Sequence, residues 1–550
     1  MAPLLQTIRS KLSELGKLNP KAVEMGRSVL LPSLIMTALL LGMGRLGVLQ
    51  GMNLAAYDHL IRLRPDQGED DRLLIVGITE ADIQTRQEWP VSDQTLAQLL
   101  EKLEAQQPRA IGLDIIRDVP IQPGREALLN QMQQSDRLIT VCKVSAPNDP
   151  GFPPPPGVAP EFVGFSDLVI DPGGILRRSL LVIVPPLPEN GVPLVPHLCS
   201  QPTTLDNQPN TLLSFGFQLA LTYLAEEGIQ PELTEADELK LGSTLLSRLQ
   251  PTTGGYQKAD ASGYQILLDY RSAHRAAPQV SITDVLSDRV NSELIRDRIV
   301  LIGYTTPQAK DEFYTPYSAG ASDSQKMPGV VVHAQSVSQI LSAVLDDRPL
   351  LWSWSNAQEG IWIFGWALVG GVVAWYVRHP LKFGGAIAIA GGIIYGICFL
   401  LFLQGGWIPL VPGAIALVVT SATVILVDRF NHSTYGQTVY RQVKSFLKLD
   451  IEIDQAKLEK QVAEITESDY FQDLQQKAKA LRSSAGTHSS TAPATEDSIP
   501  TTAHRAVPSP AEPVVKSGDE DELDYFQKLR LDAKRLRDQR QGQSDDKEGS

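Results

Sequence analysis

Three apolar runs crowd into residues 361–427, and a fourth stands alone near the start of the chain, from Ser28 to Gly44. A helix needs roughly 20 apolar residues to cross a bilayer's hydrocarbon. The sequence therefore predicts spans at 28–49, 361–377, 383–403 and 407–427. The first is too internal for a signal peptide and lacks a small-x-small cleavage site, so it reads as a retained anchor. The spans leave a short N-terminal segment 1–27, one large soluble segment 50–358, and a polar tail after 428.

Basic residues near the span ends set orientation. Arg9, Lys11, Lys17, Lys21 and Arg27 precede the first span, Arg378 and Lys382 separate the second from the third, and Arg429, Arg441, Lys444 and Lys448 follow the fourth. The link around Gly405 and Gly406 has no charge. This alternation predicts cytoplasmic termini and an exported domain; Arg45, on the exported side, snorkels to the headgroups. Gly384, Ala388, Gly392 and Gly396 recur at intervals of four and would allow close helix approach, although glycine is frequent in such helices anyway. No charge sits in the middle of a span, which argues against a conduction path or a transporter subunit.

A net charge of −14 gives no electrostatic case for nucleic-acid binding. Of the three cysteines, Cys398 lies in a span, so the exported domain holds at most one internal disulfide, Cys142–Cys199. Two free thiols are the expected case, and no pair has metal-ligand spacing. Leu73–Ile78, Ala110–Ile116, Leu138–Val144 and Ile299–Gly303 are continuous apolar runs of the kind that form doubly buried strands. Leu96, Leu99, Leu100 and Leu103 have helical spacing between the first two. Leu180–Val184 and Tyr264–Tyr270 read as further strands, and Val330–Leu345 as a strand running into a helix. The alternation predicts an α/β domain with a mostly parallel central sheet and some antiparallel additions. The Pro-rich stretches at 148–160 and 185–202 read as surface loops.

These pieces carry a family resemblance. Tyr57, Asp58, Arg62 and Pro65 come first, then Ile75-Val76-Gly77-Ile78-Thr79-Glu80, Trp89-Pro90, Ala110-Ile111-Gly112-Leu113-Asp114 and Gly164-Phe165. Ile299-Val300-Leu301-Ile302-Gly303, Asp311, Thr315-Pro316, Pro328-Gly329-Val330 and His333-Ala334 complete the series. In this order, over residues 50–345, they resemble the type-2 CHASE domain (CHASE2), an extracellular sensory module of bacterial signalling proteins. The resemblance implies a multi-pass protein of the bacterial plasma membrane with its sensor domain outside. There are departures: Val91, Ser92 and Asp93 follow the Trp-Pro pair where relatives carry another tryptophan and a basic residue. The acidic-glycine-Arg turn is altered to Asp171, Pro172, Gly173, Gly174 and then Arg177. Relatives often carry a cyclase or kinase after the last span, and none is visible here.

Glu80 and Asp114 fall at the ends of predicted parallel strands, the edge where open α/β sheets take ligands. With Asp311 and His333 they form the candidate binding set for a cation or polar solute. The plainer reading, and the favoured one, makes the acids helix caps or structural ion-pair partners and His333 a packing residue. Tyr57, Asp58 and Arg62 are candidates for coupling domain to membrane; a local Asp58–Arg62 salt bridge explains them equally well. No phosphate loop, zinc helix motif, nucleophile elbow or kinase landmark occurs, so the expectation is a protein that is not an enzyme and that needs no cofactor or metal.

The tail divides into a structured segment 428–482, a Ser/Thr/Ala/Pro-rich linker 483–518 and a charged helix 519–550. Residues from Asp469 and from Asp524 agree at nine of 14 positions. On a helix, Tyr470, Phe471, Leu474 and Leu481 match Tyr525, Phe526, Leu529 and Leu536. Such a pair on a flexible tether can dock bivalently to a cytoplasmic protein partner, or pack on its own chain or a second copy in a homodimer. The whole reads as a membrane sensor that detects an extracytoplasmic ligand and recruits a partner inside; the alternative is a scaffold that positions proteins without sensing.

Overall fold

Leu73–Ile78 (β1) is buried at every position because it sits inside a parallel sheet covered on both faces. The computed structural model describes residues 25–186, 196–204, 208–273, 275–318 and 326–432. Up to Ala422 these belong to one compact unit; of a second unit beginning at Thr423, only the end of one helix is described. The repeated tail segments, with Tyr470, Phe471, Leu474, Leu481, Tyr525, Phe526, Leu529 and Leu536, lie outside the described residues.

The chain enters through Gly26–Leu30, one π-helical turn, into α1 (Leu31–Arg45). A turn with Gly47 at φ 77° separates α1 from α2 (Gln50–Leu63). After β1 come α3 (Glu80–Arg86), α4 (Asp93–Glu104) and β2 (Ala110–Leu113). Then follow α5 (Arg125–Gln134), β3 (Leu138–Cys142) and β4 (Val163–Phe165). The helical spacing of α4 is realised as expected: Leu96, Leu99, Leu100 and Leu103 are buried, and Ser92 caps the helix by accepting from the Thr95 N–H.

β5 (Arg178–Ile183) and β6 (Leu212–Leu213) precede α6 (Phe215–Glu226). A small antiparallel meander follows, made of β7 (Pro231–Leu233), β8 (Leu239–Leu241) and β9 (Thr244–Leu246). β10 (Tyr264–Leu267) pairs antiparallel with β5. β11 (Gln279–Ser281), α7 (Ile282–Leu286) and β12 (Ile299–Tyr304) complete the main sheet, whose order is β11-β1-β12-β2-β3-β4, parallel throughout.

Alternation along the strands divides the core. Leu73, Ile75, Ile139, Val141 and Leu301 face α6 and a long helix described next, while Leu74, Val76, Ile111, Val300 and Ile302 face α4, α5 and α7. That long helix, α8 (Gly329–Leu345), follows the short antiparallel pair β13 (Glu312–Phe313) and β14 (Met327–Pro328). Here the expectation of a strand at Val330–Val332 fails. Fifteen of the 17 residues of α8 are buried, so valines on every side find partners, and their β-branched run does not decide the backbone. Cys142 and Cys199 form a disulfide, against the expectation of two free thiols. The signal was hidden because their partnership spans 57 residues and depends on where a loop lands.

Three further helices are α9 (Asn356–Tyr376), α10 (Pro380–Leu403) and α11 (Leu410–His432). β15 (Trp352–Ser353), before α9, pairs with β16 (Gly406–Trp407), which lies between α10 and α11. Among the described residues, Gly26–Arg45, Asn356–Tyr376, Pro380–Leu403 and Leu410–Asp428 are long and apolar enough to cross a membrane. α9 is the close-packing helix: a Cβ on Gly370 would stand 2.3 Å from the Leu417 carbonyl oxygen, and one on Gly371 2.7 Å from Val29. Gly384, Gly392 and Gly396 of α10 have no such neighbour within 4 Å.

Candidate functional site

Asp114 immediately follows β2, and Asp311 lies in the loop after the neighbouring strand β12. His333 enters the same edge from the second turn of α8. The sheet thus brings three of the four predicted residues to the carboxyl ends of its central strands. His333 Nε2 lies 3.9 Å from Asp114 Oδ1, a charge-pair distance rather than a hydrogen bond. The imidazole stands edge-on to Phe215, with centroids 5.2 Å apart, and is buried.

Burial dominates the electrostatics of this cluster. It pushes the Asp114 carboxyl up to about 7. Asp311 rises to about 6, first through burial and then through the charge of Asp114, with His333 acting in the opposite sense. The imidazole of His333 is held down at about 4 by burial, against the pull of Asp311 and a hydrogen bond to the Ser166 main chain. At neutral pH His333 is therefore uncharged, and two carboxyls poised to titrate face it. Asp167, one residue beyond Ser166, is likewise pushed up to about 6 by burial while accepting from the Val144 N–H at 2.8 Å. Such an arrangement can take up protons or favour a cationic or hydrogen-bonding solute. Among the described residues, no group of three or more His, Cys, Asp or Glu is placed to hold a metal ion.

Glu80 does not join this cluster. It is exposed and opens α3 behind the Thr79–Asp82 capping box. Its carboxylate accepts from the Thr306 hydroxyl at 2.9 Å and from Gln84 at 3.0 Å. Thr79, not Glu80, supplies the cap of this helix.

The residues expected to couple domain to membrane give a clearer result, and a correction. Asp58 does not pair with Arg62. Its two oxygens accept from Arg177 Nε and Nη2, each at 2.7 Å, in a bidentate pair that is almost wholly buried. Arg177 Nη1 also donates to Asp171 at 2.8 Å, and Arg178 Nε donates to the other oxygen of Asp171 at 2.7 Å. Tyr256 closes the network with a hydroxyl 2.6 Å from Asp171. Arg62 instead donates to the Pro316 carbonyl at 2.7 Å. Tyr57, fully buried, donates to the Leu268 carbonyl at 3.3 Å and packs on Trp407 at 4.7 Å and Phe402 at 5.7 Å.

Trp407 of β16 therefore reaches from the apolar helices into the α/β domain. Gly254 and Gly255 make room for it, since a Cβ on either would meet the indole at 2.3 or 2.8 Å. Nearby, Arg64 and Arg348 share the buried Asp269 carboxylate, the latter at 2.8 Å. Sequence reasoning passed over Arg178, Tyr256, Asp269, Arg348 and Trp407. Adjacent arginines at the head of the apolar strand β5 were the available signal, because arginine is almost never buried unless paired.

The family profile described as CHASE2 domain matches residues 34–372, more than half of the chain, and the chain belongs to that family of sensory domains. The match takes in the α/β domain and most of α1 and α9. No curated protein and no solved structure matches the chain.

Proposed function

We propose that this member of the CHASE2 family is an integral-membrane sensory and signal-transduction protein without a catalytic output of its own. Its α/β domain stands on the extracytoplasmic face of a bacterial plasma membrane, carried by four spans with both termini cytoplasmic. A proton, cation or small polar solute is taken at the Asp114–Asp311–His333 edge, and the tail recruits a cytoplasmic protein through its two repeated segments. A disulfide in the domain supports the exported placement, since such bonds persist in oxidising compartments.

The observation that carries the reading is the buried junction Asp58–Arg177–Asp171–Tyr256, with Trp407 packed on Tyr57. It fixes the helix that leaves the first apolar span to β5 and to the link between α10 and α11. A binding event that favours one conformation of the domain then biases the helices. A rigid scaffold would not need charged groups at such a joint, because apolar packing serves stability as well.

Two measurements test it. Compartment reporters fused at residue 200 and after residue 432 should read extracytoplasmic and cytoplasmic; a cytosolic signal at 200 defeats the topology. Thermal unfolding of the full chain in detergent, screened against solutes, cations and pH, should show a saturable shift that Asp114→Asn and Asp311→Asn abolish. Shifts that survive both substitutions would place the ligand elsewhere, and no shift at all would favour scaffolding.

A further inference from the structure

The helix α2 has two unlike faces. Leu54, Tyr57, Leu60 and Ile61 are buried, while Met52, Ala55, His59, Arg62 and Leu63 are exposed along the opposite stripe. No acid stands on that stripe, in a chain of net charge −14. The turn leading into α2 exposes Leu46 and Val48. It thereby prolongs the apolar outer face of α1, where Leu34, Ile35 and Leu39 are each more than half exposed.

Contacts with α10 set how this helix lies. Tyr57 and His59 project from opposite sides of α2, and both reach α10. Tyr57 packs on Phe402 with centroids 5.7 Å apart, and His59 Nε2 stands 3.0 Å from the Tyr395 hydroxyl. Phe402 and Tyr395 are about 10.5 Å apart along the axis of α10, the width of one helix. Conversely, Tyr57 and Arg64, two turns apart on α2, both meet the Phe402 ring, the Arg64 guanidinium at 5.6 Å from its centroid. Opposite faces of α2 thus touch successive levels of α10, and successive turns of α2 touch one level. That is the pattern of a helix crossing broadside, not of one running alongside. The exposed stripe is the one turned toward the middle of α10, and the buried face lies level with its end at Leu403.

We propose that α2 lies in the plane of the bilayer and docks its exposed stripe into the phospholipids of the outer leaflet. The inference rests on the reading that the four apolar helices cross a membrane with the domain outside. α10 has 24 residues, about 36 Å, against about 30 Å of hydrocarbon, so a centred α10 projects by about 3 Å at each end. Tyr395 lies about 12 Å before Leu403 and hence about 9 Å below the hydrocarbon edge. Helices that lie in an interface bury their apolar face by about 5–10 Å. The hydrogen bond between His59 and Tyr395 satisfies a polar atom of each at that depth, and Arg62 offers a cation to lipid phosphates. The other face of the same helix holds Tyr57 against Trp407 and Asp58 against Arg177. Lipid at the stripe therefore presses on the back of the joint that links domain to helices.

The test places single thiols on the full chain carrying Cys398→Ser, labels each with a small fluorophore, and reconstitutes the protein in phosphatidylcholine nanodiscs. The nanodiscs hold lipids with a nitroxide either high or low on the acyl chain. Met52→Cys and Leu63→Cys should be quenched more by the shallow nitroxide than by the deep one. Ile393→Cys of α10 should be quenched more by the deep one, and Val119→Cys, exposed on the domain, by neither. All four positions are exposed, so the substituted chains should keep the parent melting temperature. A water-soluble maleimide should react about tenfold more slowly at Met52→Cys than at Val119→Cys, the scale of one apolar side chain withdrawn from water. That second readout is independent of the fluorophore's own affinity for lipid. Quenching at Met52→Cys and Leu63→Cys no greater than at Val119→Cys, with Ile393→Cys still quenched, would overturn the proposal and leave the spans standing. Slow maleimide reaction without quenching would mean that protein covers the stripe, and would overturn it equally. If Ile393→Cys escaped quenching too, the membrane reading itself would fall, and the proposal with it.

Discussion

Replacing Arg177 by methionine removes the donor that holds the Asp58 carboxylate on both oxygens, at 2.7 Å each. Asp171 loses one contact but keeps Arg178 and the Tyr256 hydroxyl. Asp58 is left as the uncompensated buried charge, and breaking a buried pair from one side costs about 3–5 kcal/mol. For a domain of about 300 residues, with an unfolding entropy near 2.1 cal/mol/K per residue, that cost lowers the melting temperature by about 5–8 °C. The assay is thermal unfolding of the full chain in detergent, followed by tryptophan emission because Trp407 reports on this joint. Two controls sharpen it. Asp58→Asn placed on top of Arg177→Met removes the orphaned charge and should restore about 2 kcal/mol, on the scale of one buried desolvation penalty. Arg62→Met loses a single bond to the Pro316 carbonyl and should cost only about 1 kcal/mol. If Arg62→Met proved as damaging as Arg177→Met, Asp58 would be paired along its own helix, and the joint described above would be wrong.

Stability should also depend on pH through the Asp114 cluster, with opposite signs for its members. Asp114 and Asp311 are raised to about 7 and about 6, so the stability they contribute is full below their ordinary value of 3.8 and is lost as pH rises through the raised ones. His333 is lowered to about 4, so its contribution is present above its ordinary 6.5 and is lost as pH falls through 4. Melting curves from pH 4 to 8 should therefore fall more steeply between 4 and 6.5 in His333→Gln, and flatten toward pH 7 in Asp114→Asn; profiles parallel to the parent would contradict both. Thiol titration of the unreduced, denatured chain should find one thiol, Cys398, and the Cys142→Ser/Cys199→Ser pair should lose about 4 kcal/mol by the loop-closure relation for a 57-residue separation. Gly254→Ala forces a Cβ to within 2.3 Å of the Trp407 ring at φ 56°, and should shift tryptophan emission while costing about 1–3 kcal/mol; unchanged emission would mean the indole packs elsewhere.

What could be read from the sequence divides along a physical line. Leu73–Ile78, Ile299–Tyr304 and α4 were legible because their burial is written into consecutive residues, as apolar runs or a 3.6-residue spacing. The same holds for the four apolar helices, whose length and composition would let them cross a membrane. The candidate cluster at Asp114 was legible in part as geometry, since a residue ending a parallel strand lies on the carboxyl edge of the sheet, where open α/β sheets take ligands, and its approach to His333 followed once α8 was in place. Glu80 obeyed the same rule and still stood apart, because its strand β1 is separated from β2 by β12.

Nothing local distinguishes Asp58 with Arg62 from Asp58 with Arg177. The first pair has correct helical spacing, and the second is 119 residues apart. The decision falls to desolvation. Once α2 turns that face into the core, Asp58 must meet a cation already buried there, and Arg177 and Arg178 at the head of β5 are themselves tenable only with Asp171 and Asp58. Two acids and two arginines thus require one another, and each is expensive without the rest. A joint of that kind holds helix to sheet in one geometry, and the proposed sensing requires such a joint if a change at the Asp114 edge is to reach the helices as a discrete shift.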